Sequence, residues 1–528
     1  MKTEAEYDVV VVGAGLGGLS VAALLAHSGE RVAVLEQGEG VGGLAHAFVR
    51  GGYTFDPAVH GIQSGEIVWN LLEYLGVDDL CPYVLSPHFY GAAFPDGVTV
   101  CAPAGWDAFV ETNADLLGGA EGAQVRRFFQ VLRDVLDEMA WLQMRADPRA
   151  LATMMAERPT FARYRSSPVS DALDDYVPSP LARAVCTAAW PFLGTPPSRL
   201  SLLNFAQMLN TYLEGVRYPL GSFQKLADAF AAAVTRYGGE IHVGTPVERI
   251  LVAGDRVTGV RTADGVTRRA RVVVSNADAT TTLTGMLGEE HLPEPYLRRL
   301  RRMTPSLSAF TVFAATDLDL GSLGLAHETF LHPHWDHEEN WRDVLAGRPA
   351  SAWMSNTTLC DPGLAPAGEH TAILTALAPW DPGQPWHEIK ESFADTMIRQ
   401  FDRVVPGLSD HLTYREIGTP ITMHRFTRGT RAAMYGWENT ANQFANKRLP
   451  HSTPVQGLYL SGHWTEEGCS SYRAITSGFT SAKAVLEHLG NDIGKTLPRT
   501  FRQRTGFVAP ATRNWYFVDH HAPDREDT

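Results

Sequence analysis

The chain has 528 residues, 44% of them hydrophobic, which exceeds the usual single-domain core and predicts two intertwined domains. Its formal net charge of −14 excludes a nucleic-acid partner, because an acidic surface without a segregated basic patch repels phosphates. The five cysteines, at 81, 101, 186, 360 and 469, form no C-x-x-C pair and read as reduced thiols, with neither a zinc site nor a redox disulfide.

Met1-Lys2-Thr3-Glu4-Ala5-Glu6 lacks a basic region followed by an apolar core, so no secretory signal is visible and a cytoplasmic protein is expected. Val9 to Val12 then reads as an apolar strand that runs into Gly13, Gly15 and Gly18 at G-x-G-x-x-G spacing. Such a turn brings a pyrophosphate against bare backbone at a helix N-terminus. Arg31 to Leu35 is a second strand, and Glu36 at its end stands where an acceptor for a ribose hydroxyl belongs. The uncharged run from Val9 to Ala26 has the length of a membrane helix, but its glycines and tight turn argue against spanning. Gly40-Val41-Gly42-Gly43 adds a second glycine pair. The run from Glu36 to Gly43 resembles the extended signature of FAD proteins of the glutathione reductase and amine oxidase superfamily, which favours FAD over NAD.

Further along, Val125, Phe128, Phe129, Leu132, Val135, Leu136 and Met139 recur at the spacing of one buried helix face. Tyr218 to Ser222 precedes an amphipathic helix that ends at Gly238-Gly239. Short strands follow at 239–243, 246–250 and 255–260, and Ala270 to Ala277 is an apolar strand ending in small polar residues, a normal ligand edge. Leu292 to Leu320 reads as a basic helix and then a strand at 310–314. The cluster His332-Pro333-His334-Trp335-Asp336-His337 lacks a familiar metal-ligand spacing and reads as a polar surface loop, so no metal is expected. Gly457 to Trp464 repeats the strand-then-glycine pattern, with a helix from Ser477 to Leu489. Beyond Lys495 the tail is rich in Arg, Pro and Thr. Its Arg499, Arg502 and Arg504 form a solvated face or a contact to anionic lipid.

The expected fold class is α/β: a Rossmann-type FAD-binding domain, glutathione reductase-like, with an inserted α+β substrate domain. The FAD domain would be discontinuous, over 1–75, 216–290 and 450–490. The substrate domain would take 76–215 and 291–449, and 491–528 would form a C-terminal arm.

With Arg50-Gly51-Gly52-Tyr53-Thr54-Phe55-Asp56-Pro57-Ala58-Val59-His60, Val273 to Ala277 and Gly462-His463-Trp464-Thr465, the sequence resembles the phytoene desaturase, carotenoid isomerase and retinol saturase family. Thr419 to Thr422, Arg425 to Thr427 and Tyr435 to Trp437 look like a segment shared by the isomerase and saturase branches. The resemblance implies that Gly13, Gly15 and Gly18 cradle the pyrophosphate, Glu36 the adenosine ribose, and Gly42 and Gly43 the diphosphate and ribityl region. It implies further that Val247 meets the adenine through its backbone, that Asn276 lies on the ligand edge, and that Gly462 and a helix start near Ile475 face the pyrimidine edge of the flavin. The chain departs from the family at Ala58, where relatives carry glycine, and at Glu466 to Arg473, where they carry a Pro-Gly-Gly-Gly-type run. That loop would face the reacting end of the ring, and its polar groups imply a more polar substrate or a smaller cavity than a long apolar polyene requires.

His60, Glu466, Tyr472 and Arg473 are the catalytic candidates, with His60 also readable as a hydrogen-bonded core histidine. Arg473 would bind a carboxylate or phenolate, or fix the loop. The leading expectation is an FAD-dependent oxidoreductase that dehydrogenates or saturates carbon–carbon bonds of a conjugated, lipophilic or polyketide-like small molecule. Its electron partner would be oxygen, a quinone or NAD(P), and peripheral contact with a membrane is compatible with it. The alternatives are a redox-neutral polyene isomerase and, from another class, a non-enzymatic lipid-binding escort of the same fold.

Overall fold

The protein is described by a computed structural model that covers residues 5–63, 65–143, 153 and 156–491. The expected arm at 491–528, with Arg499, Arg502 and Arg504, lies outside the described residues apart from Asn491. Two seven-stranded sheets organise the chain.

In the first sheet, Ala5–Val12 is central and pairs in parallel with both Thr267–Ser275 and Val32–Leu35. Glu240–His242 extends it in parallel on one side, and Leu458–Leu460 pairs in parallel with the end of Thr267–Ser275. Val247–Ala253 and Arg256–Thr262 complete it as antiparallel strands. Val9, Val10 and Val11 are wholly buried, as a parallel strand covered on both faces requires. The helix Leu16–His27 is buried at every residue from Leu16 to Ala26, because it is enclosed among Ala5–Val12, the helix Gln224–Arg236 and the helix Ser471–Leu489. This enclosure explains the long uncharged run. Among the described residues, no helix is long and apolar enough to cross a membrane.

The second sheet runs, in spatial order, Leu412–Gly418, Ser308–Thr316, His370–Ala378, Ala352–Ser355, Glu328–Leu331, His88–Ala93 and Thr99–Pro103. All its pairs are antiparallel except Glu328–Leu331 with His88–Ala93. The helix Gly119–Gln143 lays Val125, Phe128, Phe129, Leu132, Val135, Leu136 and Met139 into the core beside that sheet, all of them buried.

The last helix departs from its expected bounds, for it begins at Ser471 rather than Ser477. Ser470 is the cause: its hydroxyl accepts the Arg473 N–H at 3.2 Å and caps the helix. Tyr472 and Arg473 therefore belong to a helical first turn and not to a loop. Farther along, a Cβ on Gly478 would stand 2.8 Å from both the Gly17 carbonyl oxygen and the Ser20 Cβ. Gly478→Ala is expected to lower stability by ~1–3 kcal/mol, since overpacking outweighs the gain of ~1 kcal/mol in helix propensity. A urea melt checks it.

Candidate functional site

A cavity of about 710 Å³ runs from the glycine turn, at the C-terminal edge of the first sheet, to the face of the second. At the first end it is lined by Gly13, Gly15, Gly17, Glu36, Gly42, Gly43, Val247, Asn276 and Gly462. Gly13 has φ +94 and Gly42 φ +120, conformations that L side chains rarely adopt. Gly15 is the N-cap of Leu16–His27 and offers no side-chain cap, so the first-turn N–H groups have no intrahelical acceptor and suit an anion. The Asn276 carboxamide is the hub of this end. A Cβ on Gly15, Gly17 or Gly462 would approach it to 2.7, 2.6 or 2.5 Å. Glu36 accepts the N–H groups of Ala14 and Gly38, both at 2.7 Å, which fixes its carboxylate at the cavity wall. A diphosphate held on backbone N–H groups and a ribose held on a carboxylate fit these donors and acceptors.

Two expected members of this end are placed elsewhere. Gly18 is not on the cavity wall; a Cβ there would strike the Gly13 carbonyl oxygen, so this glycine lets the helix close onto the turn. Ile475 is wholly buried in the core, and its carbonyl accepts the Ser20 hydroxyl at 2.9 Å. The residues that reach the cavity from that helix are Ser471, Arg473 and Ala474. Sequence reasoning also missed the π-helix Thr281–Gly288, which places Thr281, Gly285 and Met286 on the wall.

The inner end is walled by Phe192, Met208, Tyr212, Trp353, Met434 and Tyr435, and also by His60, Glu328 and Arg473. His60 is 4% exposed, and its Nε2–H donates to the Asp56 carbonyl at 2.9 Å. Its Nδ1 thus faces Ser355 Oγ at 3.0 Å and Glu328 Oε1 at 3.6 Å, and Ser355 Oγ lies 3.2 Å from the same carboxylate oxygen. Burial alone would raise the Glu328 pKa, but contact with His60 and the charges of His327 and His60 outweigh it and hold the carboxyl below its ordinary 4.5. Imidazole and carboxylate on the cavity wall, with the Ser355 hydroxyl behind them, stand within proton-transfer reach of one another. Glu328 escaped sequence reasoning. Its one signal is an acid opening the otherwise uncharged strand Glu328–Leu331.

Asp56, one step behind, accepts from the Tyr218 hydroxyl at 2.5 Å and the Phe223 N–H at 3.0 Å. Burial pushes its carboxyl up to about 6, against those hydrogen bonds and the His60 charge. The native state therefore binds this proton more tightly than the unfolded chain does. The group's contribution to stability is full below pH 3.8 and is lost as pH rises through about 6. Asp56→Asn is expected to remove that fall, read as the difference between urea melts of the two proteins across this window; parallel curves would refute it.

Of the four catalytic candidates, the structure brings His60 and Arg473 to the cavity and leaves Glu466 and Tyr472 off its wall. Tyr472 is wholly buried in the core beside Leu16–His27, and burial pushes its hydroxyl up to about 12. Tyr472 is directed into the core while Arg473, one residue along the same helix, reaches the cavity. Burial and the neighbouring Glu467 raise the Glu466 carboxyl, but it has no place at the wall.

The His332–His337 segment is not a surface loop. His332 and His337 are buried, and they share hydrogen bonds with the carbonyls of Ala188 and Ala184 at 2.9 and 3.0 Å. Among the described residues, no group of histidines, cysteines and acids could hold a metal ion. All five cysteines are free thiols.

Residues 16–486 match the family described as flavin containing amine oxidoreductase. The chain is 24% identical to an all-trans-retinol 13,14-reductase of Danio rerio over 91% of this chain and 86% of that protein. It is 26% identical to prolycopene isomerase 1 of an Oncidium hybrid over 92% and 84%, and 28% identical to a neurosporene-forming phytoene desaturase of Rhodobacter capsulatus over 92% and 95%. Among solved structures, a redesigned putrescine oxidase superposes with a TM-score of 0.66 at 14% identity, covering 93% of this chain and 100% of that one.

Proposed function

The chain belongs to the flavin-containing amine oxidoreductase family and uses FAD, and from that premise we propose that it oxidises or reduces carbon–carbon bonds of a conjugated, lipophilic small molecule. The observation that carries this reading is the continuity of the cavity. It joins a dinucleotide-type glycine turn to an aromatic inner end that holds the His60–Ser355–Glu328 cluster. The names of the relatives, which are a retinol reductase, a phytoene desaturase and a prolycopene isomerase, support the polyene character of the substrate.

In this reading Gly13, Gly15 and Gly17 hold the diphosphate, Glu36 the adenosine ribose, Gly42 and Gly43 the middle of the cofactor, and Val247 and Asn276 its flanks. Gly462 and the first turn of Ser471–Leu489 face the ring. When bound, the flavin supplies hydride chemistry at a carbon that no side chain can oxidise. Phe192, Met208, Tyr212 and Trp353 exclude water and orient the flat polyene. His60 and Glu328, bridged by Ser355 behind the wall, take up or return the proton of the neighbouring carbon. The isomerase relative favours a second reading, in which the same groups shift double-bond geometry without net electron transfer.

The test is anaerobic addition of conjugated candidates to the FAD-loaded protein. Bleaching of the flavin band by one of them supports the oxidoreductase. Altered polyene absorbance over an unbleached flavin, with no acceptor present, selects the isomerase, and no change with any polyene sinks both.

A further inference from the structure

Two buried guanidinium groups stand together, Arg473 on the wall of the cavity's inner end and Arg448 behind it, and among the described residues neither has a carboxylate partner. Arg473, 6% exposed, donates to Asn204 Oδ1, to the Glu467 carbonyl and to Gln207 Oε1, each at 3.1 Å. Arg448, 1% exposed, donates to the carbonyls of Gln443, Trp437 and Glu438 and to Asn439 Oδ1. All of these acceptors are neutral. The nearby Glu467 carboxylate is engaged elsewhere, accepting from the Thr465 hydroxyl at 2.8 Å and meeting His451 Nε2 at 2.5 Å. The Nη1 atoms of both arginines are among the three atoms nearest to where a Cβ on Gly468 would stand, so the two charges converge on one glycine.

Two further donors there are unspent. Arg448 Nη1 and Gln207 Nε2 are buried and have no hydrogen-bond partner among the described residues. Gln207 lies on the helix Leu202–Leu213 between Asn204 and Thr211, which with Met208 line the cavity. Paired buried cations with idle donors are destabilising unless an anion completes them.

We propose that this cluster binds a carboxylate of the substrate: Arg473, on the cavity wall, receives its oxygens, and Gln207 and Arg448 behind it are the supporting donor and the flanking charge. The proposal rests on the reading of the cavity given above and narrows its substrate to a conjugated acid. A carboxylate anchored there lays the chain along the aromatic wall toward His60 and Glu328. It also accounts for guanidinium chemistry in a helix turn beside the expected ring position.

The experiment uses the FAD-loaded protein with retinoate and retinol, which share one conjugated chain and differ in the terminal group. Binding is titrated by polyene absorbance. Retinoate is expected to bind at least ~30-fold more tightly than retinol, and Arg473→Gln to abolish that preference while Arg473→Lys keeps part of it. Equal affinity of the unaltered protein for acid and alcohol overturns the proposal and needs no variant. The flavin midpoint potential separates the other source of negative charge, the reduced ring. A lowered potential in Arg473→Gln with the acid preference intact assigns the cations to the cofactor and overturns the proposal. Acid binding that depends on Arg473 without any bleaching upholds the carboxylate site and counts against the redox reading instead.

Discussion

Gly15→Ala is expected to give a folded protein that purifies without its yellow cofactor. At Gly15 the backbone, φ −71 and ψ 171, is open to any residue, so the fold tolerates the change. The added Cβ would stand 2.7 Å from Asn276 Nδ2. Relief requires the Asn276 carboxamide to swing, yet Gly17 and Gly462 close on the same side chain. The methyl group also covers a helix N-terminus that a diphosphate needs bare. Overpacking together with one or two lost charge-assisted hydrogen bonds amounts to ~3–5 kcal/mol, or ~150-fold to 5,000-fold in FAD affinity. The ratio of flavin to protein absorbance reads the loss, and circular dichroism reads the fold. Gly18→Ala is the contrast: its Cβ would enter the Gly13 carbonyl oxygen, so fold and cofactor are expected to fail together. A yellow Gly15→Ala protein would remove the glycine turn from the cofactor site.

Glu328→Gln is expected to cut turnover by ~10²–10⁴-fold with FAD content retained, the range for a lost general acid or base. The amide keeps the shape of the side chain and an oxygen that can accept from Ser355 at 3.2 Å, but it removes the negative charge that faces His60 at 3.6 Å. Stability supplies an independent check. The Glu328 pKa is lowered in the folded state, so its contribution is present above the ordinary 4.5 and is lost as pH falls through the folded value. The unaltered protein should therefore lose stability relative to Glu328→Gln as pH falls below 4.5. Normal turnover in the variant would confine the His60–Glu328 pair to a structural role.

The cofactor end of the site was legible because its information is local. Strand, turn, helix and acid follow one another within residues 9–36, and each is set by side-chain periodicity and by the conformations open to glycine. The inner end was legible only in part. His60 stood out as a histidine beside a recognisable segment, but its partner Ser355 is 295 residues away, and Glu328 reaches it through strand pairing in the second sheet. The error over Tyr472 came from the helix start. Once the Ser470 hydroxyl caps the chain, the helical turn directs Tyr472 into the core and Arg473 to the cavity. The histidines at 332 and 337 misled for the opposite reason. A polar run reads as exposed, yet backbone carbonyls at Ala184 and Ala188 satisfy these rings inside the protein.

By itself the sequence determined the α/β class, the dinucleotide turn and the FAD signature, since period and glycine placement act over a few residues. Only the tertiary structure decided which charged groups meet in the cavity. The pairing of His60 with Glu328, and of Arg473 with Arg448, depends on strand register and helix phase, which are set by how distant segments bury one another.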